Sequence, residues 1–205
     1  MPHLYYVHDP MCSWCWAFKP TLSKLLTNLP DSITYSYLLG GLAADSEEPM
    51  DLDMQERLKN TWLTIQKKLP QTEFNYNFWS SNVPRRSTYP ACRAVITTRL
   101  MDAGSEEKII VAIQQAYYIE ARNPSDHSTL IEIAGEIGLE PSRFQNMLNS
   151  ESIHNKLLEE IEQSRLMGIN SFPGLALNIE GSYWPIPIDY HDENSMLEII
   201  HQLLT

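Results

Sequence analysis

The spacing of hydrophobic residues near the start of the chain predicts a strand, a helix and a second strand. Residues 4–7 are aromatic or branched and predict a strand that closes at Asp9-Pro10. Apolar residues then recur at helical spacing from Cys12 until Pro30. Residues 33–39 predict the second strand. Such a unit joins parallel strands by a right-handed crossover.

The middle of the chain carries helical patterns without strand patterns. Residues 52–69 are amphipathic, residues 70–88 hold several proline and asparagine breakers, and Pro90 suits the first position of a helix. Further helices are predicted around residues 109–117, from a capping box formed by Thr129 and Glu132, from Pro141, and from a cap at Ser150. The middle is therefore expected to be a block of helices.

Strand patterns return near the end of the chain. Residues 175–178 and 183–188 flank Glu180-Gly181-Ser182, which predicts a β-hairpin, and residues 195–204 predict a final helix. The order is βαβ, then helices, then ββα. We therefore predict an α/β fold in which helices interrupt a single sheet domain.

Composition excludes several classes of partner. The chain has 205 residues and a formal net charge of −11, which repels the phosphates of nucleic acids and of anionic membranes. No apolar run approaches the roughly 18 residues that a membrane helix needs. We therefore expect neither a nucleic-acid nor a membrane partner.

Cysteine usage bears on the compartment. Three cysteines do not make a secreted disulfide framework, and the first ten residues lack the basic and apolar regions of a secretory signal. The expected location is the cytoplasm.

Two of the three cysteines form the motif Cys12-Ser13-Trp14-Cys15 at the predicted helix start. This spacing places both sulfurs on one face, close enough to form a disulfide. Free backbone N–H groups at the helix N-terminus favour the thiolate of Cys12, which predicts Cys12 as nucleophile and Cys15 as resolving thiol. Half of a zinc site, a pair of buried thiols and a structural disulfide are the alternatives, but no second CxxC completes a zinc site.

The chain resembles the DsbA-like branch of the thioredoxin superfamily, close to FrnE-type predicted disulfide isomerases. The first strand with the CxxC motif, and Ser171-Phe172-Pro173 ahead of the hairpin, carry the resemblance. It implies a thioredoxin-like core over residues 1–43 and 167–205, interrupted by an all-helical insertion over residues 44–166. It also implies that Pro173 is a cis-proline facing the cysteines, with Phe172 beside the substrate.

These features predict a thiol–disulfide oxidoreductase of the reductase or isomerase type. Cys12 and Cys15 are the predicted catalytic residues, and Ser13, Trp14, Phe172 and Pro173 are the predicted substrate-binding residues. No bound cofactor or metal is expected, although glutathione could recycle the pair; the expected partners are protein or small-molecule disulfides. A kappa-like glutathione-dependent transferase or isomerase, and a redox-sensing binding protein, are the alternative functions.

Other residues leave two interpretations each. Residues 85–88 are expected to border the cleft. Cys92 is expected to be a buried helical thiol rather than a third redox cysteine. Tyr76, Phe78 and Trp79 either contact substrate or anchor their loop, and Trp16 and Phe18 either join Trp14 in an apolar platform or pack in the core. His8 and Asp9 could tune the thiols, or Asp9 could simply cap the helix.

Overall fold

The computed structural model describes residues 1–204, which form four strands and nine α-helices. The βαβ unit comprises β1 (His3–His8), α1 (Ser13–Thr27) and β2 (Thr34–Leu39). The C-terminal ββα unit comprises β3 (Gly174–Ile179), β4 (Ser182–Ile186) and α9 (Glu193–Leu204). The intervening helices are α2 (Leu52–Lys68), α3 (Phe78–Ser81), α4 (Tyr89–Met101), α5 (Glu106–Tyr118), α6 (His127–Glu136), α7 (Pro141–Leu148) and α8 (Glu151–Leu166). The predicted α/β class and element order are confirmed.

The strands lie in one sheet in the order β2-β1-β3-β4. β1 pairs parallel with β2 and antiparallel with β3, so that Leu4 lies between Tyr35 and Leu177. β3 and β4 form the predicted hairpin, whose turn residues Glu180 and Gly181 have φ values of 52° and 87°. Two successive positive φ values are typical of the tight turn that matches the twist of paired strands.

Two large groups of buried apolar side chains hold the fold together. One joins the sheet to α1 and α9 and includes Leu4, Phe18, Leu25, Leu177 and Ile200. The other lies among the intervening helices and includes Trp62, Phe78, Val95, Ile113 and Phe144. The domain boundaries predicted from the resemblance stay a prediction.

Glu160 of α8 ties the helices to the sheet. Its carboxylate accepts a hydrogen bond from the backbone N–H of Leu39 at the end of β2 (2.8 Å) and forms an ion pair with Arg99 of α4. This carboxylate therefore connects α8 to both β2 and α4.

Two local predictions need correction. The capping box of Thr129 and Glu132 is wrong, because α6 begins at His127 and Asp126 is its N-cap residue. Arg85 binds the Asp126 carboxylate at 2.6 Å, so a tertiary ion pair helps to fix this helix start. The stretch 70–88 is not entirely loop, because α3 forms within it and buries Phe78 and Trp79. By contrast, the Ser150 side chain caps α8 as predicted, accepting from the N–H of Ile153.

Candidate active site

Cys12 and Cys15 lie at the start of α1. Cys12 is the N-cap residue, and its carbonyl accepts from the N–H of Trp16 at 3.0 Å. Cys15 lies one turn further and is 1% exposed, against 6% for Cys12. Both thiols are free. Burial raises the pKa of the Cys15 thiol, and the adjacent Cys12 raises that pKa further. Cys15 therefore holds its proton strongly while both thiols are reduced.

A fully buried carboxylate fixes the turn before Cys12. Asp9 accepts hydrogen bonds from the N–H of Met11 (2.8 Å) and the N–H of Leu42 (2.7 Å). The Thr88 hydroxyl (2.6 Å) and the Cys92 thiol (3.4 Å) donate to the same carboxylate. Burial raises the pKa of Asp9, and these donors oppose the rise. Asp9 is therefore more than a local helix cap, because it joins the CxxC turn to the N-terminus of α4.

The segment ahead of β3 faces the cysteines. The Phe172–Pro173 peptide bond is cis, as the resemblance implied. The Cys12 thiol donates to the Phe172 carbonyl oxygen at 3.5 Å, although 160 residues separate the two. The fold thus brings together the two motifs that the sequence singled out.

Two clefts lie beside the CxxC motif, and Cys12 lines the first of them. The first, here the arginine cleft, has a volume of about 320 Å³; its lining includes Cys12, Ser13, Trp14, Met50, Trp62, Arg85, Arg86, Tyr117 and Phe172. The second, here the proline cleft, has a volume of about 340 Å³ and is lined by Trp14, Lys68, Leu69, Ser171, Phe172, Pro173, Tyr190 and His191. Trp14, Ser171 and Phe172 line both clefts, so these three residues form the boundary between them.

The three aromatic residues near the motif have different environments. Trp14 is half-buried, lies 5.2 Å from the Tyr190 ring between centroids, and has the Lys68 ammonium 5.5 Å above it. Trp16 stacks on Tyr118 at 5.7 Å, and Phe18 is fully buried. Trp16 and Phe18 therefore pack against the interior, and Trp14 alone of these three lines the two clefts.

The remaining candidate residues also divide into those that line a cleft and those that do not. Arg85, Arg86, Ser87 and Thr88 line the arginine cleft, as predicted. Cys92 is fully buried in α4, as predicted, but its bond to the Asp9 carboxylate could not be anticipated. Phe78 and Trp79 pack around Trp62 and anchor their segment, while Tyr76 donates to Gln66 at 2.9 Å. None of these three aromatic residues lines either cleft.

His8 is a second buried polar residue beside the site. Its ring stacks on Tyr6 at 5.2 Å, and within residues 1–204 neither ring nitrogen has a hydrogen-bond partner. Burial lowers the pKa of His8 to about 3, and the nearby Arg99 contributes to the lowering. His8 is therefore a neutral imidazole at physiological pH.

Two further features concern metal ligands and long apolar helices. Over residues 1–204, no three histidine, cysteine, aspartate or glutamate side chains lie close enough together to hold a metal ion. In the same part of the chain, no helix is both long and apolar enough to cross a bilayer.

Comparison with known proteins places this geometry in context. Residues 5–180 match the model of a family described as Thioredoxin. The ClpXP adapter protein SpxH from Bacillus subtilis is 22% identical over 193 residues, which is 88% of this chain but 62% of that protein. The chain thus spans less than two thirds of the curated relatives it matches, since it covers 56% of SpxH from Halalkalibacterium halodurans.

Solved structures share the fold over nearly the whole chain. A protein from Nitrosomonas europaea, provisionally described as a protein disulfide isomerase, aligns with a TM-score of 0.85 and 23% identity over 99% of this chain and 97% of its own. The cytosolic disulfide reductase DsbM from Pseudomonas aeruginosa aligns with a TM-score of 0.76 and 20% identity over 98% of each chain. A structure of DsbM with GSH aligns with a TM-score of 0.75 at the same identity, over 99% of this chain and 100% of its own. At these identities the likeness establishes a DsbA-like fold.

Proposed function

This chain belongs to the thioredoxin family, and we propose that within it the protein is a cytoplasmic thiol–disulfide oxidoreductase of the reductase or isomerase type. The observation that carries the proposal is the position of Cys12 at the N-terminus of α1, where its thiol faces the Phe172 carbonyl and lines the arginine cleft. The thiolate is the reactive form of cysteine, and a helix N-terminus stabilises it.

The reaction runs through a mixed disulfide. The Cys12 thiolate attacks one sulfur of a substrate disulfide; that bond breaks, and the other substrate sulfur leaves as a thiolate that takes up a proton. Cys15 then loses its proton and attacks the Cys12 sulfur, which releases the second substrate thiol and leaves a Cys12–Cys15 disulfide. A thiol reductant such as glutathione returns the pair to the dithiol. The GSH in the DsbM structure supports this choice of reductant.

Four residues hold the substrate next to Cys12 in this proposal. Trp14 and Phe172 line both clefts and would contact a substrate disulfide at Cys12. Ser13 lines the arginine cleft and Pro173 the proline cleft. A bound polypeptide would lie along the Phe172–Pro173 segment, where its backbone can pair beside the dithiol.

The test is single-turnover reaction with a disulfide-bonded unfolded protein, resolved by mass spectrometry without reductant. Cys12→Ser is expected to abolish the reaction, because no nucleophile remains. Cys15→Ser is expected to accumulate the mixed disulfide on Cys12, because nothing resolves it. Cys92→Ser is the matched control and should react like the parent protein, since serine still offers a donor to Asp9. Turnover by Cys12→Ser would refute the proposal.

The reduction potential of the dithiol determines the direction of the reaction. Equilibration in graded glutathione buffers should give a value near that of thioredoxin, about −270 mV, for a protein that reduces disulfides. A value near about −120 mV would instead indicate an oxidant and would overturn the reductase assignment. Glutathione conjugation that survives Cys15→Ser would favour a glutathione-dependent transferase.

A second candidate is a redox-sensing binding protein. The observation that favours it is the description of both curated relatives as ClpXP adapter proteins. A protein with this function would bind a protein partner tightly, and the affinity would change when Cys12 and Cys15 are oxidised. Its disulfide turnover would be negligible. Disulfide turnover by the parent protein, and loss of that turnover in Cys12→Ser, would support the oxidoreductase and exclude this second candidate.

A further inference from the structure

The charges around Cys12 differ from those of the protein as a whole. The chain carries 26 acidic and 15 basic side chains. Within the described chain, however, no aspartate or glutamate lines the arginine cleft or the proline cleft, whereas Arg85 and Arg86 line the first and Lys68 lines the second. A cationic site on an anionic protein concentrates anions at the site, and distant carboxylates repel them only weakly through salt solution.

The two arginines of the arginine cleft differ in their hydrogen bonds and ion pairs. Arg85 is engaged, because it donates to the Ser125 carbonyl (2.8 Å) and to the Asp126 carboxylate (2.6 Å). Arg86 is half-buried, yet among residues 1–204 it has neither a hydrogen bond nor an ion pair. Its electrostatic neighbour is Tyr117, whose pKa it holds down against the rise caused by burial. Arg86 is therefore a partly dehydrated cation with free donors.

The arginine cleft accommodates a small ligand with one anionic end. Its volume of about 320 Å³ suits a small molecule or a few side chains rather than a folded surface. Met50, Leu58 and Trp62 supply apolar contacts, and Cys12 supplies the sulfur. A guanidinium without a partner binds a carboxylate through two parallel hydrogen bonds, which a neutral or cationic ligand cannot form.

We propose that Arg86 makes the site selective for disulfides that carry a carboxylate within the span of the arginine cleft. The carboxylate pairs with Arg86 while one disulfide sulfur lies against Cys12. This inference rests on the proposed function, because it assigns a substrate class to the same dithiol. Arg86 thereby acts in substrate selection and takes no part in the exchange of sulfur atoms.

The test uses three small disulfides of similar size and different charge: dithiodipropionate, hydroxyethyl disulfide and cystamine. The second-order rate constant for oxidation of the reduced protein is measured by acid quench and mass spectrometry at about 0.15 M ionic strength, where the Debye length is about 8 Å. Arg86→Gln is expected to lower the rate constant for dithiodipropionate about tenfold, which corresponds to about 1.4 kcal/mol. The rate constant for hydroxyethyl disulfide should stay within about twofold of the parent value.

Two further variants separate the contact from general charge. Lys156→Gln removes one cation from an exposed position on α8 and should leave all three rate constants unchanged. Arg86→Lys keeps the charge but not the paired donors, and should recover only part of the preference.

Four other outcomes would each overturn the inference about Arg86 or the proposed function. Equal slowing of all three disulfides in Arg86→Gln would mean that Arg86 supports the structure, and the inference would fall. If Lys156→Gln slows the reaction with dithiodipropionate as much as Arg86→Gln does, net charge rather than the Arg86 contact explains the preference, and the inference falls. If the parent protein oxidises readily with hydroxyethyl disulfide but shows no preference for dithiodipropionate, only the inference falls. If none of the three disulfides oxidises the parent protein, the proposed function falls with it.

Discussion

Replacement of His8 by phenylalanine should remove a large part of the acid sensitivity of this protein. His8 is fully buried against Tyr6 and Tyr37, and within the described chain its ring nitrogens lack partners. Its pKa falls to about 3 in the folded protein, because burial disfavours the charged ring and Arg99 repels it. The unfolded chain restores the ordinary value near 6.5.

The sign and the size of the effect follow from these two pKa values. Because the folded pKa lies below the unfolded one, His8 contributes full stability above about pH 6.5, and this contribution declines as the pH falls toward 3. Between about pH 7 and pH 5 the unfolded state takes up about 0.7 proton at this ring, whereas the folded state takes up almost none. The free energy of unfolding then decreases by about 2 kcal/mol from His8 alone.

Urea unfolding followed by tryptophan fluorescence at both pH values measures this loss. The parent protein should lose about 2 kcal/mol more than His8→Phe between about pH 7 and pH 5. At neutral pH, His8→Phe should be as stable as the parent or more stable, because no buried nitrogen is left unpaired. His201→Phe changes an exposed histidine and should retain the parent acid slope. Equal slopes for His8→Phe and the parent would refute the reasoning.

Two further substitutions test the contacts around the cysteines. In Gly40→Ala the added Cβ overlaps the Phe172 ring and lies 2.8 Å from its Cδ1, so disulfide exchange should slow about tenfold. Gly104→Ala is the control, because there the atom nearest to the added Cβ is 3.5 Å away and the exchange rate should not change. In Glu160→Gln, a carboxylate that binds an arginine of α4 and a backbone N–H of β2 becomes neutral, so urea unfolding should show a loss of about 1–3 kcal/mol, while Glu159→Gln at an exposed position should show none. An unchanged exchange rate in the first case, or an unchanged unfolding free energy in the second, would contradict these contacts.

Local sequence signals predict the elements of this fold well. The two strand-forming runs at residues 175–178 and 183–188 around Gly181 suffice for the β3–β4 hairpin, because strand-forming residue types and turn chemistry are both local. Helix caps are predicted less well. Thr129 and Glu132 have the spacing of a capping box, yet α6 starts earlier, at a residue held by Arg85 from 41 positions away.

The candidate site shows the same limit. The spacing of Cys12 and Cys15 indicates their chemistry directly, and the family resemblance implies the place of Pro173 opposite them. The donors of the Asp9 carboxylate were not predictable, because Thr88 and Cys92 lie 79 and 83 residues away and have no distinctive local pattern. Such contacts depend on the packing of helices whose mutual arrangement no single segment specifies.

The sheet order has a consequence for synthesis on the ribosome. β1 lies between β2 and β3, and its antiparallel partner begins only at Gly174. Translation at about 5–20 residues per second leaves an interval on the order of ten to thirty seconds between these two strands. Throughout that interval the nascent chain carries Cys12 and Cys15 without the Phe172 carbonyl opposite them. The emerging protein therefore carries two thiols well before its own exchange site exists, and other disulfides can exchange with them first.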